Sequence, residues 1–131
     1  PERGYAFPTL DLEMNGTFIR ADHHISTTSR NYLESGTLSA TLGTERIERA
    51  RAGARVPDII MRAHRHKYGY FHDGYGHICV TPAWQNLTRF GRKVVPHATL
   101  QVGGVIWDWK DGQPFLVPKL FNKSLSLPQV V

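Results

Sequence analysis

The chain contains one cysteine, Cys79, in 131 residues. That excludes an internal disulfide and any cysteine-based zinc finger, and it fits a reducing compartment such as the cytoplasm. No apolar run approaches the roughly 20 residues a membrane span needs. No charged-then-apolar opening segment reads as a signal peptide. An initiating methionine is also missing, since the sequence opens at Pro1; this suggests a piece of a longer protein. Several catalytic signatures are absent as well. There is no G-x-S-x-G, no GxxxxGK[ST], no HExxH, and no GxGxxG where a strand runs into a helix. Gly103-Gly104 falls inside a strand pattern and is no phosphate loop.

What is present is the material of a folded domain. The sequence is 40% hydrophobic and 11% aromatic, enough apolar mass for a core and too much for global disorder. Sixteen Lys+Arg against eleven Asp+Glu give a formal charge of +5 and a pI near 9.7. A modest basic excess favours anionic partners such as phosphate esters or nucleic acid. Seven histidines are many for this length.

Hydrophobic alternation and turn residues predict three hairpins and a helical stretch. Asp11–Met14 and Thr17–His23 flank Asn15-Gly16, the pair best suited to a two-residue type I′ turn. From Thr27 to Ala52 the pattern is helical, with Thr27 or Ser29 as cap, Gly36 as a break, and a second segment from Thr44 closed by Gly53. The charges of that segment, Glu45 to Arg51, are expected on a solvated face. Ile59-Ile60-Met61 is a short buried strand. A second hairpin joins Tyr68–Phe71 to His77–Val80, and a third joins Val102–Trp109 to Pro114–Leu120 around Lys110-Asp111-Gly112. Pro114 and Pro118 push the last strand to a sheet edge. The sum is a strand-rich α/β layer.

The sharpest local feature is His64-x-His66, directly after the buried strand. In extended chain residues i and i+2 share a side, so two imidazoles can serve one metal centre or two adjacent ones. His23-His24 also stands where a strand runs out before a helix. With those two strands as parallel neighbours, the helix is the β-α-β crossover and both histidine groups meet at the C-terminal sheet edge. Read blandly, the same residues are exposed polar groups after strands. The others draw simpler expectations. His72 and His77 flank a hairpin tip and are expected to be exposed, and His97 follows Pro96 without a role. Cys79, Trp107 and Trp109 read as packing residues. Trp84, in a loop, can stack on a base or line a pocket. Arg62 and Arg65 flank the histidines and can hold a phosphate or remain surface charges. The sequence departs from the HxHxDH metallohydrolase pattern, since Lys67-Tyr68-Gly69 follows His66.

Asp58–His66, followed by Ile78-Cys79-Val80-Thr81-Pro82-Ala83-Trp84, resembles the C-terminal half of the calcineurin-like metallophosphoesterase fold. Ala21-Asp22-His23-His24 resembles that family's upstream strand-to-helix histidine step, and the texture is similar to phage or prophage members. The resemblance runs over roughly residues 10 to 110. It implies half of a four-layer α/β/β/α sandwich, residues 1–131 forming one unit whose N-terminal metal-binding half is absent. It implies a di-metal-activated water that hydrolyses phosphomonoesters or phosphodiesters, with Mn, Fe, Ni or Zn as the ions. His64 and His66 would each bind a metal, and His23 or His24 would share the ion of His64. Arg62, Arg65 and Trp84 would face the substrate. Ala63 stands where the family has glycine. The family's carboxylate and asparagine motifs have no counterpart here, so the catalytic residues are expected in the absent half and the piece alone is expected to be inactive. Two other readings stay open. One is a non-catalytic basic module of phage or bacterial origin that binds nucleic acid or protein. The other is a structural zinc domain built on histidines.

Overall fold

The computed structural model describes residues 8–25, 34–84 and 101–121. The helix cap expected at Thr27 or Ser29, and His97, lie outside them. The described chain is mixed α/β, with seven strands and one helix. β1 (Thr9–Met14) and β2 (Thr17–Asp22) form the first hairpin, and α1 (Glu34–Arg51) leads to β3 (Ile59–Arg62). β4 (Gly69–His72) and β5 (His77–Val80) follow, then β6 (Gly103–Lys110) and β7 (Gln113–Leu120). β1 to β5 make one sheet in the order β1-β2-β3-β5-β4, and β6-β7 make a separate two-stranded ribbon.

Local chemistry accounts for the turns. Asn15 and Gly16 take φ of 51° and 75°, and Asp111 and Gly112 take 51° and 75°. Both pairs therefore have the double positive φ of a type I′ turn, whose twist matches that of the flanking strands. The C-terminus of α1 closes as expected at Gly53. Its φ is 67°, and Gly53 N donates to Ala50 O while Ala54 N donates to Arg49 O, the paired bonds of a Schellman cap. Gly36 does not break the helix; α1 runs through it and through Gly43. A side chain at either glycine would meet nothing within 4 Å. Tertiary burial of Leu38 and Leu42, 3% and 0% exposed, outweighs the ~1 kcal/mol a mid-helix glycine costs.

β2, β3 and β5 run parallel, with α1 as the crossover between the first two. The central strand β3 is buried on both faces, as Ile59 and Ile60 are both 0% exposed. On one face Ile60, Ile78 and Val80 pack with Ile25, Leu38 and Leu42, and Phe71 closes the edge. The other face carries Thr17, Ile19, Ile59, His77 and Cys79 by strand alternation. The ribbon lies against it. Trp109 Nε1 donates to Thr17 Oγ1 at 2.9 Å, and Trp107 meets the His77 ring edge-on at 5.4 Å. The tryptophan ribbon therefore covers the second face of β2 and β3. The helix, the sheet and the ribbon are thus stacked as three layers. Cys79 is fully buried, and burial pushes its thiol up to about 12. None of the described helices is long and apolar enough to cross a membrane.

The charges of α1 depart from the expectation of a solvated face. Leu38, Leu42, Glu45 and Arg49 recur at i, i+4, i+7 and i+11, so the helical stripe that packs on the sheet ends in charge. Glu45 Oε1 lies 2.8 Å from Arg20 Nε in an ion pair, and Glu45 is also paired with the Arg62 guanidinium. The Arg62 and Glu45 side chains are only 9% and 16% exposed. Arg49 lies 5.3 Å over the Phe18 ring, and Arg46 reaches Asp73 at 3.3 Å. Arg20 and Arg62 stand on neighbouring strands of the helix-facing side, where two cations need a buried anion.

Two outcomes follow. Glu45→Ala leaves two guanidiniums without their shared carboxylate, and denaturant unfolding should show a loss of roughly 3 kcal/mol. A loss under about 0.5 kcal/mol would mark the network as solvated. His77 gives the second. Burial, with His72 beside it, lowers its pKa to about 4, against the opposing pull of Asp73 and Asp58. The unfolded chain takes that proton near its ordinary pKa of about 6.5, so between those values it binds more protons than the fold does. Stability should therefore fall as the pH drops through that window. The fall in thermal midpoint between pH 7.5 and 4.5 should shrink in His77→Gln; an equal fall would assign the effect to other groups.

Candidate metal centre

The parallel register places the histidines. Arg20 pairs with Ile60 and Ala21 with Met61, and Ala63 N then donates to His23 O at 3.2 Å. This last bond carries the ladder past the end of β3, so the residues after both strands emerge at the same edge. There His23, His24 and His64 form one group. Each offers a ring nitrogen, and these nitrogens lie within 4.8 Å of one another. The ring centroids are 5.0, 5.3 and 5.4 Å apart, edge-on or tilted. All three residues are exposed.

The chain enters this arrangement through an unusual backbone. His64 has φ 73° and His66 φ 57°, a left-handed region that residues with a Cβ seldom occupy. Arg65 N donates to Ala63 O at 2.9 Å, so His64 is the middle residue of a tight three-residue turn. From the resemblance, the departure was expected at Ala63. Ala63 itself does not have a positive φ; the conformational cost falls on the two histidines. Strain of this kind, about 1–3 kcal/mol per residue, collects at sites held in place by their surroundings.

Asp22 is the supporting residue that sequence reasoning missed. Its Oδ1 accepts from His24 N at 3.0 Å, and its Oδ2 accepts from Thr9 Oγ1 at 3.0 Å. The first is an Asx-type turn that fixes the backbone of the histidine pair. The Asp-x-His spacing was the available signal. The bond from His24 N holds the Asp22 carboxyl below its ordinary pKa, with Thr9, Arg62 and His24 acting in the same direction and burial against it. His64 titrates below the usual histidine range, from burial and then from repulsion by His23, His24 and His66. At neutral pH it therefore presents a lone pair, as metal binding requires.

Three imidazoles whose ring nitrogens lie within 4.8 Å of one another fit a divalent transition-metal ion with one position open, the donor set of many zinc sites. Among the described residues no carboxylate joins the group, and His66 is not in it. The donors that converge thus suffice for one ion. The remaining residues singled out from the sequence are distributed around this edge. Arg62 is buried against Glu45 and also donates to Met61 O at 3.1 Å. Arg65 is half-buried in the loop beside His64. Trp84 is 73% exposed, and its ring lies 5.7 Å from that of Phe121. Gln101 ties the His66 loop to the ribbon, its N donating to His66 O at 3.2 Å and its Oε1 accepting from Tyr68 N at 2.7 Å.

No protein-family model matches the chain, and no curated protein matches it. Among solved structures, the chain is similar to the solution structure of TM1076 from Thermotoga maritima, with 10% identity and a TM-score of 0.43 over 86% of this chain and 54% of that one. It is also similar to wild-type Vps29 of Entamoeba histolytica complexed with zinc, with 12% identity and a TM-score of 0.47 over 87% and 61%. A single mutant of the same Vps29 gives 13% identity and 0.47 over 93% and 65%. The chain spans between about half and two thirds of the length of these structures.

Calorimetric titration of the metal-free chain with Zn²⁺ is expected to show about one equivalent bound, the capacity of a three-histidine set. His64→Ala, His23→Ala and His24→Ala should each weaken that binding by more than tenfold (about 1.4 kcal/mol), while His66→Ala should leave it in place. Equal affinity in the three alanine variants would remove the assignment.

Proposed function

We propose that this chain is the part of a metal-dependent phosphoesterase that carries its histidine ligands. One observation carries the reading: His23, His24 and His64 converge at the C-terminal ends of two parallel strands, their ring nitrogens within 4.8 Å. Such an edge is where open α/β sheets place ligands. A divalent ion held there supplies Lewis acidity, lowering the pKa of bound water and offsetting charge on phosphoryl oxygens.

The chain's own groups have separable tasks. His23, His24 and His64 would hold the ion, and Asp22 fixes the backbone at His24. Arg62 is paired with Glu45 and so holds the strand end in place, and Arg65, half-buried in the loop beside His64, is assigned to an anionic substrate. Trp84, exposed four residues past the end of β5, is assigned to the organic part of the ester. The two-ion form belongs to this proposal too: His66 would serve a second ion whose other ligands come from beyond the described residues. Mn, Fe, Ni and Zn all suit imidazole, and phosphomonoesters and phosphodiesters are both open as substrates. A cytoplasmic setting agrees with the single buried cysteine.

A second reading, a non-catalytic binding module for nucleic acid or protein, draws on the +5 charge and on the exposed Trp84. The two separate in one experiment. In the longest natural form of the protein, His64→Ala and His66→Ala should each lower metal-dependent hydrolysis of p-nitrophenyl phosphate or its bis ester by more than about 100-fold. That exceeds the roughly 10–100-fold cost of losing an outer-shell partner. Undiminished hydrolysis in both variants, or none in the parent with any of the four metals, would favour the binding module.

A further inference from the structure

A second concave site lies at the opposite end of the sheet from the histidine group. It is a cavity of about 240 Å³ lined by residues that include Asn15, Asp58, His72, Tyr75, His77 and Gln113. These come from the β1-β2 turn, the entry to β3, the β4-β5 hairpin and the β6-β7 turn, so all three layers' connections meet there. None of these residues took part in the chemistry assigned above.

The geometry excludes most ligand classes in turn. His72 and His77 are paired across β4 and β5, and their rings stack at 4.0 Å with only 10° between planes. The nitrogen lone pairs of two stacked imidazoles lie in separate parallel planes, so the pair cannot converge on one metal ion. Anions are disfavoured by the Asp58 carboxylate on the wall, and His77 stays uncharged down to about pH 4. An extended apolar ligand is excluded by the polar lining and by a volume below the roughly 300–1,000 Å³ of drug-sized sites.

What remains is hydrogen-bonding capacity of both signs beside flat ring surfaces. Tyr70 Oη pairs with His77 Nδ1 at 2.8 Å, which leaves Nε2 as the polar atom of that ring for a ligand. Asp58 Oδ2 accepts from Phe18 N at 2.8 Å, and a carboxylate keeps further acceptor capacity. Asn15 and Gln113 each bring an amide donor and an amide acceptor. Tyr75, 82% exposed, is steadied by the Arg46 guanidinium 5.9 Å over its ring. A hydroxyl both donates and accepts, and a sugar ring also presents C–H faces that lie on aromatic surfaces. We infer that this cavity is a binding site for a small neutral polyol, one sugar ring in size, separate from the histidine edge.

The test is a titration of the 131-residue chain with D-glucose and with D-ribose, followed by amide NMR. Saturable shifts are expected at Tyr75, His77 and Gln113, with a Kd on the order of 1–10 mM. Tyr75→Ala and Gln113→Ala alter exposed side chains and should keep the fold, each weakening binding about tenfold, the worth of one hydrogen bond or ring contact. His64→Ala should leave the titration unchanged, so this result and the metal result stand or fall separately. Three outcomes would overturn the inference: no saturable shift with either sugar, equal shifts in both variants, or inorganic phosphate saturating the same amides at lower concentration.

Discussion

The parallel pairing of β2 with β3 governs the placement of everything else in this chain. A parallel pair requires a crossover, and here the crossover contains α1, so the helix lies over the strands it connects. The same pairing sets the two strand ends level. Because side chains alternate with a period of two, a slip of one residue would turn Ile60 from the helix to the ribbon and bring Ile59 under α1. It would also carry His64 out of step with His23. The register is therefore over-determined: the core and the histidine group require the same alignment. The bond from Ala63 N to His23 O is the last rung of that alignment, placed between the two groups it brings together.

Glu45 connects the helix to this alignment. Arg20 and Arg62 emerge from adjacent strands toward α1, and both close on the one carboxylate. Replacing such a network with apolar residues would be tolerable in energy, whereas removing one partner would not be. Its specific effect is positional. An apolar contact between Leu42 and the sheet permits sliding along the helix axis, but a carboxylate shared by two guanidiniums does not. Asp11 adds a further tie, bridging to Arg20 at 2.9 Å from the edge strand β1. Charge thus runs from β1 through β2 and α1 to the end of β3, one residue short of the strained loop that carries His64.

Local signals made much of the fold legible. Asn15-Gly16 marked one hairpin because a two-residue turn needs positive φ, Lys110-Asp111-Gly112 marked another whose turn is Asp111-Gly112 with Lys110 still in the strand, and Ile59-Ile60-Met61 marked the central strand because both its faces are covered. Pro114 and Pro118 rightly kept β7 at an edge, where it pairs with β6 alone. The meeting of His23, His24 and His64 was legible because strand ends that share a sheet edge are a topological consequence of a crossover, whereas His66, expected with them, is not in the group. What escaped the sequence was long-range. Glu45 looked like one charge in a solvated run, since nothing local tells which helical carboxylate meets Arg20 and Arg62, 25 residues earlier and 17 later. His77 was read as exposed from its place at a hairpin tip, yet it is half-buried between His72 and Trp107, residues whose approach depends on the ribbon's docking. Gly36 was read as a break because propensity is local and the burial that overrules it is not.

The composition of the histidine group bears on the kind of ligand it would favour. An ion held by three neutral imidazoles keeps its full positive charge, whereas each carboxylate ligand would cancel one unit of it. No carboxylate among the described residues joins the group; the nearby Asp22 is occupied by His24 N and Thr9. The field at the open position would therefore be that of a dication at an exposed sheet edge of a chain whose net charge is +5. A neutral ligand gains little from such a field, and an anionic one gains most. The opposite end of the sheet is built the other way, with a carboxylate on its wall and an imidazole that resists protonation. The three parallel strands β2, β3 and β5 thus separate two environments by their length: an exposed edge of three histidines and a hollow with a carboxylate on its wall. The separation follows from the direction of three strands, because every residue before them emerges at one end and every residue after them at the other.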